Sequence, residues 1–331
     1  MRARLLTCIA WLALVTAVPA CAGRIDPPYA AGKAPPAAEL LTLVAPRISA
    51  IQVPSAKVRI GRAPAGNLML LAQKPGRFSG QVQLAGRELI SLAFHEQGYT
   101  LRNVAADGLD LGFYSGPPAD CAIRRLIGVP FAKEELIALL LGGAPQISRP
   151  FEVVDQRWDR KLGHEVLRLR NATDEQELRF AFTAGDWWVA GSTLWHKSAS
   201  GELERLWTIL HEDLRPVDNT ILPARTRISR PSGRREERVT ITYSTQLPNP
   251  DLGDSEIAES DEGGWEDEDT ASAPAPGDDD GGWEDGEAPP AAPPGGTAPA
   301  PAKPAGPPKI PPQFTLDSAG LPPRGDLCRN G

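Results

Sequence analysis

The sequence predicts a mainly β domain, an antiparallel sheet with a few helices, set between an export signal and an acidic tail. Four stretches, 78–84, 167–170, 177–182 and 238–243, alternate apolar and polar residues. A period of two is typical of antiparallel strands with one face in water. Turn-forming residues separate such stretches at hairpin spacing. These turns are Lys74-Pro75-Gly76, Ala85-Gly86, Asp107-Gly108, Gly185-Asp186 and Ser232-Gly233.

Residues 1–20 are typical of a signal peptide for export. A short basic start at 1–4 precedes an apolar run at 5–18, which is too short to cross a bilayer as a mature helix. The run leads into Val18-Pro19-Ala20-Cys21, which resembles the lipobox of bacterial lipoproteins. In those proteins the sulfur of the cysteine is acylated, and the cysteine becomes the new N-terminus.

The lipobox resemblance implies that Cys21 carries a lipid anchor and that residues 21–35 link this anchor to the folded domain. An ordinary cut after Ala20 or Ala22 is the alternative. Several acyl chains hold a protein stably on a membrane, because each buried methylene contributes about 0.8 kcal/mol. Ala22 is not the Asp that marks inner-membrane retention in some bacteria, so we expect a lipid-anchored protein of the outer membrane that faces the periplasm.

Two of the four cysteines remain after export and acylation. Cys8 leaves with the signal and Cys21 is taken by lipid, so Cys121 and Cys328 are left in an oxidising compartment. Their spacing does not resemble a zinc or C-x-x-C motif. We predict a disulfide, which would dock the C-terminal segment 313–331 on the folded domain. Two unpaired thiols are the alternative, because a sequence does not show proximity.

Charge is divided sharply along the chain. Residues 251–331 hold 18 of the 42 acidic residues but only 4 of the 35 Lys and Arg, a net charge of −14, whereas residues 21–250 carry +5. The region 249–312 consists mainly of Pro, Ala, Gly and acid, so we predict that it is disordered. It repeats Gly-Gly-Trp-Glu-Asp at 263–267 and 281–285. The repeat is either a binding motif for a positively charged partner or a local duplication.

Several function classes have no support in the sequence. The basic residues are dispersed and the chain is exported, which argues against a nucleic-acid partner. Its histidines, His95, His164, His196 and His211, lie singly on different predicted elements. The chain contains no H-E-x-x-H, G-x-S-x-G or phosphate-loop pattern. We therefore expect no catalytic residues, no metal site and no cofactor, and we expect a monomer.

The folded domain, 36–248, includes helical segments as well as strands. Apolar residues between Ala37 and Ile51 have helical spacing, although Pro46 must bend or end the helix. A short helix at 121–127 lies between the two groups of strands. A second helix, 132–141, follows, with acidic residues in its first turn and two glycines after its end. This second helix is so apolar that we expect it to be buried.

Four segments of this domain are distinctive: Ile123-Arg124-Arg125-Leu126-Ile127-Gly128-Val129-Pro130, Glu134-Glu135-Leu136-Ile137-Ala138-Leu139-Leu140-Leu141-Gly142, Leu222-Pro223-Ala224-Arg225 and Val239-Thr240-Ile241-Thr242-Tyr243. These segments, together with the order of the elements, resemble the LolA/LolB family of lipoprotein carriers and receptors. The resemblance covers about residues 36–248. Two features depart from the family: the acidic tail, and the absence of a leucine at the tip of the Gln73-Lys74-Pro75-Gly76 turn.

The resemblance implies a strongly curved antiparallel half-barrel sheet whose concave apolar face, covered by helices, holds acyl chains. It also implies a role in the transport or insertion of lipoproteins or lipids at the outer membrane. Candidate residues lining the cavity are Phe78, Val82, Leu84 and Leu140. The same apolar residues are equally consistent with a solid core, which would favour a structural or scaffolding lipoprotein without cargo.

Replacing Cys21 by Ser should abolish labelling of the protein by a palmitate analogue, because the acylated sulfur is lost. Labelling and membrane fractionation in cells measure this. Cys8→Ser is the matched control and should label as the wild type does, since Cys8 leaves with the signal. Equal labelling of Cys21→Ser and wild type would contradict the lipoprotein interpretation.

Overall fold

The computed structural model describes residues 24–104, 109–117, 120–127, 131–233, 235–252 and 312–328. The signal peptide, Cys21, the Asp107-Gly108 turn and the acidic stretch 253–311 with its repeated motif lie outside the described residues. All described residues belong to one compact unit.

The described residues form one sheet of fourteen strands. In chain order the strands are β1 (Ala50–Ile60), β2 (Gly66–Gln73), β3 (Arg77–Leu84), β4 (Arg87–His95), β5 (Gly98–Asn103), β6 (Gly112–Gly116), β7 (Glu152–Asp159), β8 (His164–Arg170), β9 (Asp174–Thr183), β10 (Asp186–Lys197), β11 (Leu203–Val217), β12 (Thr220–Ser232), β13 (Arg235–Pro248) and β14 (Pro323–Gly325). The four stretches predicted from the period of two lie in β3, β8, β9 and β13, so those strands are confirmed.

The sheet is built from two antiparallel meanders that meet at β1. Its spatial order is β14-β6-β5-β4-β3-β2-β1-β13-β12-β11-β10-β9-β8-β7. Every neighbouring pair is antiparallel except β14 and β6, which are parallel. We define the lower end of the sheet as the end where β1 begins. The β2–β3, β7–β8, β9–β10 and β11–β12 turns share this lower end, and the β1–β2 and β3–β4 turns lie at the opposite, upper end.

Three helices accompany the sheet: α1 (Ala37–Thr42), α2 (Asp120–Ile127) and α3 (Lys133–Leu140), with a 3₁₀ helix at Pro312–Phe314. The chain between β6 and β7 must cross the sheet, because these two strands lie near opposite edges. It contains α2 and α3, which lie over the concave face. The predicted fold class, a mainly β, open and curved antiparallel sheet with covering helices, is confirmed.

α1 is shorter than the apolar spacing between Ala37 and Ile51 suggested. It ends at Thr42, and Leu43 donates its N–H to the Leu40 carbonyl at 3.0 Å. Pro46 lacks an N–H and excludes the residue before it from helical geometry, so the helix does not continue. Ile51 is buried because it belongs to β1, and not because it lies on a helix.

The buried apolar residues form two clusters. The larger cluster joins α2 and α3 to β1–β6 and β11–β13, and the smaller joins α1 to β8–β10. The smaller cluster consists of Leu40, Val44, Ala144, Ile147, Leu167, Leu169, Leu178, Phe180, Trp187 and Val189. The concave face is therefore covered in two parts, and α1 and α3 belong to different parts.

Residues 312–328 close the β6 edge of the sheet. Cys121 in α2 and Cys328 are joined in a disulfide, with Cα atoms 5.9 Å apart. Tyr99 donates its hydroxyl to Asp326 Oδ1 at 2.8 Å and accepts the N–H of Leu327 at 2.7 Å. With β14 paired to β6, the segment covers a strand edge that would otherwise be open to pairing with another chain.

Replacing Cys328 by Ser should lower the free energy of unfolding, because the disulfide links residues 207 positions apart. The chain-entropy model gives on the order of 5 kcal/mol as an upper estimate for so long a loop. Urea unfolding measures the loss. Cys121→Ser should cause a similar loss, and the double variant should lose no more than either single one. Additive losses would contradict the pairing.

Candidate functional site

α3 lies across the concave face near the lower end of the sheet and reaches both meanders. At its start, a Cβ on Gly76 in the β2–β3 turn would lie 3.3 Å from Lys133 Cε. Just after its end, a Cβ on Gly142 would lie 3.5 Å from Leu222 Cδ2 in β12. One helix of eight residues therefore bridges the two halves of the curved sheet.

The apolar side chains along one face of α3 are buried, whereas Glu134 on the opposite side is exposed. The buried side chains are Leu136, Ile137, Leu139 and Leu140, joined by Leu141 after the helix. Burial of one such side chain stabilises by about 1.5–3 kcal/mol. The helix is therefore held to the sheet mainly by apolar contact, and the sequence prediction that it must be buried is confirmed.

The four candidate cavity residues do not all lie in this interior. Leu140 and Phe78 belong to the larger core cluster, where Phe78 stacks on Phe94 with centroids 5.1 Å apart. Val82 is partly buried and packs against the same cluster. The assignment of Leu84 needs correction: it is 38% exposed, because it ends β3 at the upper end, beside the turn and away from α3.

Two carboxylates hold the start of α3. Glu135 Oε2 accepts the N–H of Ala132 at 2.8 Å, and Asp120 Oδ1 in α2 accepts the N–H of Lys133 at 3.1 Å. The first N–H groups of a helix have no partner within the helix, so these bonds fix where it begins. Burial raises the pKa of the Glu135 carboxyl, although its bond to the backbone opposes this rise.

The end of α3 depends on two glycines. Gly142 has φ +86°, a left-handed conformation in which a helix commonly stops. A Cβ on Gly143 would lie 2.5 Å from the carbonyl oxygen of Val44, so only glycine fits there. The next residue, Ala144, donates its N–H to that same Val44 oxygen at 3.2 Å. The chain leaving α3 is thereby joined to the chain leaving α1, and we call this junction the seam.

A buried histidine in β11 is hydrogen-bonded to the seam. His211 in β11 lies with Nε2 2.9 Å from the carbonyl oxygen of Gly143, and its Nδ1 is 3.1 Å from Thr226 Oγ1. Tyr243 donates its hydroxyl to Thr226 at 3.3 Å. Because a carbonyl only accepts, the ring carries its proton on Nε2 and accepts the Thr226 hydroxyl at Nδ1. The network joins three strands to the end of α3.

Desolvation keeps this network neutral. Burial lowers the pKa of His211 to about 4 and raises the pKa of Tyr243 to about 12. In the sequence pattern His211 stands as an isolated histidine, so its role at the seam was not predicted. A usable signal was present, since Trp207, Ile209 and His211 recur with a period of two and share the buried face of β11.

The interior beneath α3 is filled in this conformation. At the seam, the structure leaves a hollow of about 10 Å³ lined by the segments that follow α1 and α3 and by β10 and β12, and this volume is roughly that of one water. A second hollow on the other side of α1 is an open groove. It is lined by Ala38, Leu41, Thr42, Arg149, Pro150 and Phe151.

Neither a metal-ligand cluster nor a helix able to span a membrane occurs in the described ranges. No three His, Cys, Asp or Glu side chains there come together as a metal site requires. None of the helices there has the length and apolar character needed to cross a bilayer.

The chain matches no protein-family model and no curated protein. Solved structures with a similar architecture include a provisionally assigned outer membrane lipoprotein-sorting protein domain from Vibrio parahaemolyticus. It is 9% identical, with a TM-score of 0.41 over 67% of this chain and 94% of that one. A DUF1329 family protein from Desulfovibrio piger is 9% identical, with a TM-score of 0.39 over 67% and 95% of the two chains.

A LolA superfamily protein from Nitrosomonas europaea is 10% identical, with a TM-score of 0.39 over 64% of this chain and 93% of that one. It bears the name of the family that the sequence resembles. Identities of 9–10% and TM-scores near 0.4 transfer no ligand or activity to this chain.

Replacing His211 by Gln should remove one component of the pH dependence of stability. The folded-state pKa lies near 4, below the usual 6.5. The unfolded chain therefore binds more protons between these values, and stability falls as the pH falls from about 6.5 to 4. The loss should reach about 3 kcal/mol in the wild type and should be absent from His211→Gln. Urea unfolding at pH 7 and pH 4.5 measures the difference. Identical pH dependence in both proteins would contradict a neutral, buried His211.

Proposed function

We propose that the protein is a lipid-anchored lipoprotein of the cell envelope whose half-barrel takes acyl chains beneath α3, in the transport or insertion of lipoproteins or lipids at the outer membrane. One observation carries the proposal. The larger apolar cluster of the described residues is covered in part by α3, a short apolar helix whose two ends are held by a small number of polar contacts.

The two ends of the α2–α3 segment differ in how firmly they are held. α2 is bonded covalently to Cys328 and through it to the segment that covers the β6 edge. The seam end is held by the Ala144–Val44 and His211–Gly143 hydrogen bonds, each worth about 1 kcal/mol net. In the proposed cycle the seam opens, α3 leaves the concave face, and α2 stays in place.

The chemistry of the exposed surface would suit an acyl chain. Removing α3 would uncover an apolar surface drawn from both meanders, including Phe78, Leu101 and Ile209. Exposing such an apolar surface to water costs a free energy of about 25 cal/mol per Å². An acyl chain that covers it removes that cost and buries its own methylenes at the same time.

A structural role is the second candidate, and the filled interior favours it. The seam hollow of about 10 Å³ is far too small for a lipid, so binding of a lipid beneath α3 requires that helix to move. A protein in which α3 never leaves the sheet would be an anchored scaffold with an ordinary solid core.

A reversible cross-link across the seam separates the two candidates. The backbone bond between Val44 and Ala144 brings these buried residues together, which suits Val44→Cys with Ala144→Cys as a disulfide pair. The mature chain also carries Cys21→Ser, so that its own lipid does not contribute acyl chains. Titration with a solvatochromic fatty acid below its micelle concentration measures binding.

We expect saturable binding by the reduced cysteine pair and binding at least about tenfold weaker, or 1.4 kcal/mol, by the oxidised pair. Protein with native Val44 and Ala144, titrated under the same oxidised and reduced conditions, controls for the Cys121–Cys328 disulfide. Saturable binding that the cross-link leaves unchanged would place the lipid elsewhere. Absence of saturable binding in every form would favour the structural role.

A further inference from the structure

The first described residues are fixed to the lower end of the sheet. Ile25 donates its N–H to Arg160 O at 2.9 Å and accepts the indole N–H of Trp158 at 2.8 Å. Tyr29 donates its hydroxyl to Glu165, and Gln156 donates to the carbonyl of Pro35 at 2.7 Å. Residues 24–35, predicted as a linker, are therefore packed along β7 and β8.

This packing limits how far the folded domain can lie from an anchor. Cys21 and Arg24 are three residues apart, and three residues span at most about 10 Å. A lipid on Cys21 would therefore hold the β7–β8 turn about that distance from the membrane surface. The side chains at this corner would meet the bilayer first.

Three large apolar side chains are exposed at this corner. Ile25 is 47% exposed, Leu162 in the β7–β8 turn 44%, and Phe182 at the end of β9 42%. Ile25 packs on Gly163, where a Cβ would lie 3.0 Å from its Cδ1. Phe182 lies on the neighbouring hairpin, since Ala181 pairs with His164. We call these three exposed side chains at the lower end of the sheet the corner patch.

A group of aromatic rings lies directly behind the corner patch. Trp187 contacts Phe182, Tyr29 and Trp158, with ring centroids 5.2, 6.2 and 6.3 Å apart. Tyr29 and Trp158 also meet edge to face at 6.1 Å. Rings with an apolar body and a polar group are favoured at the boundary between lipid and water.

The charge at the corner suits anionic headgroups. Arg24, Arg160 and Lys161 are exposed, and none of them forms an ion pair with another described residue. Among the nearby acids, Asp26 is exposed, whereas Asp159 accepts the N–H groups of Lys161 and Leu162 at 2.8 and 3.1 Å. Glu165 accepts hydrogen bonds from Tyr29 and Gln156, and Asp186 forms an ion pair with Arg47. Each basic residue near an anionic membrane contributes about 1 kcal/mol of attraction.

We infer that the corner patch, with Arg24, Arg160 and Lys161 around it, is seated in the headgroup layer of an anionic phospholipid bilayer. The inference rests on the lipid anchor at Cys21 that the proposed function assumes. The three observations are independent of one another: the short reach from the anchor, the exposed apolar surface backed by aromatic rings, and the excess of unpaired cations.

Seating the corner patch in a bilayer would also place the seam close to the membrane surface. Trp187 belongs both to the ring group behind the corner patch and to the lining of the seam hollow. Arg47, which lines the same hollow, donates to Trp187 O at 3.1 Å and lies with its guanidinium carbon 4.1 Å from the centre of the Trp188 ring. A bilayer at the corner would thus lie beside the place where α3 is proposed to open.

Quenching of a fluorophore at Leu162→Cys tests the inference in the full lipidated protein. The native cysteines do not compete for label, because they are acylated or disulfide-bonded. Ile60→Cys is the matched control, since Ile60 is 50% exposed but lies at the upper end. The protein is reconstituted on vesicles of phosphatidylethanolamine and phosphatidylglycerol with brominated acyl chains, and iodide is the quencher in water.

At Leu162→Cys we expect loss of most iodide quenching and the appearance of quenching by brominated lipid, whereas the label at Ile60→Cys stays open to iodide. Adding Arg160→Glu with Lys161→Glu should restore iodide quenching, and Arg59→Glu with Arg62→Glu at the upper end should not. Equal iodide quenching at both sites, in protein that sediments with the vesicles, would overturn the seating and leave the anchor intact. Protein that does not sediment would overturn both.

Discussion

The structure depends on one topological constraint: the chain must cross the sheet between β6 and β7. The first meander runs outward from β1 to β6, whereas the second begins at the far edge with β7 and runs back to β13 beside β1, so the sixth and seventh strands lie near opposite edges. Their connection has to pass over the concave face, and the residues that it places there must be apolar. This explains why the apolar face of α3 is fully buried, and why its end requires glycines that let it approach the chain leaving α1.

The other unusual features hold this crossing in place. The disulfide fixes α2 at the β6 side, with residues 312–328 serving as its support. At the other side, His211 supplies a donor to a carbonyl that the helix leaves without a partner, and Thr226 and Tyr243 complete its hydrogen bonds. A covalent bond and a neutral polar network thus hold the two ends, and they differ greatly in strength.

The sequence predicted the local elements better than their assembly. The strands around Phe78, Leu178 and Ile241 and the buried helix at 133–140 follow from periodicity, because side-chain direction is set by local backbone geometry. The pairing of β1 with β13 joins residues almost 200 positions apart, and no local pattern encodes it. The exposure of Leu84 and the role of His211 depend on that assembly. Residues 24–35 looked like a linker because their contacts are also distant in sequence.

A filled interior is compatible with acyl-chain binding if α3 and the acyl chain gain nearly the same free energy by burial on the concave face. The four buried apolar side chains of α3 together with Leu141, at about 1.5–3 kcal/mol each, give roughly 7–15 kcal/mol of burial. A lipid chain of about 16 carbons, at about 0.8 kcal/mol per methylene, gives a similar sum. Neither occupant would then displace the other irreversibly, and the weak hydrogen bonds at the seam would decide which is bound. A carrier or receptor must release its lipid as well as accept it, so near balance between helix and lipid is the property that such a function requires.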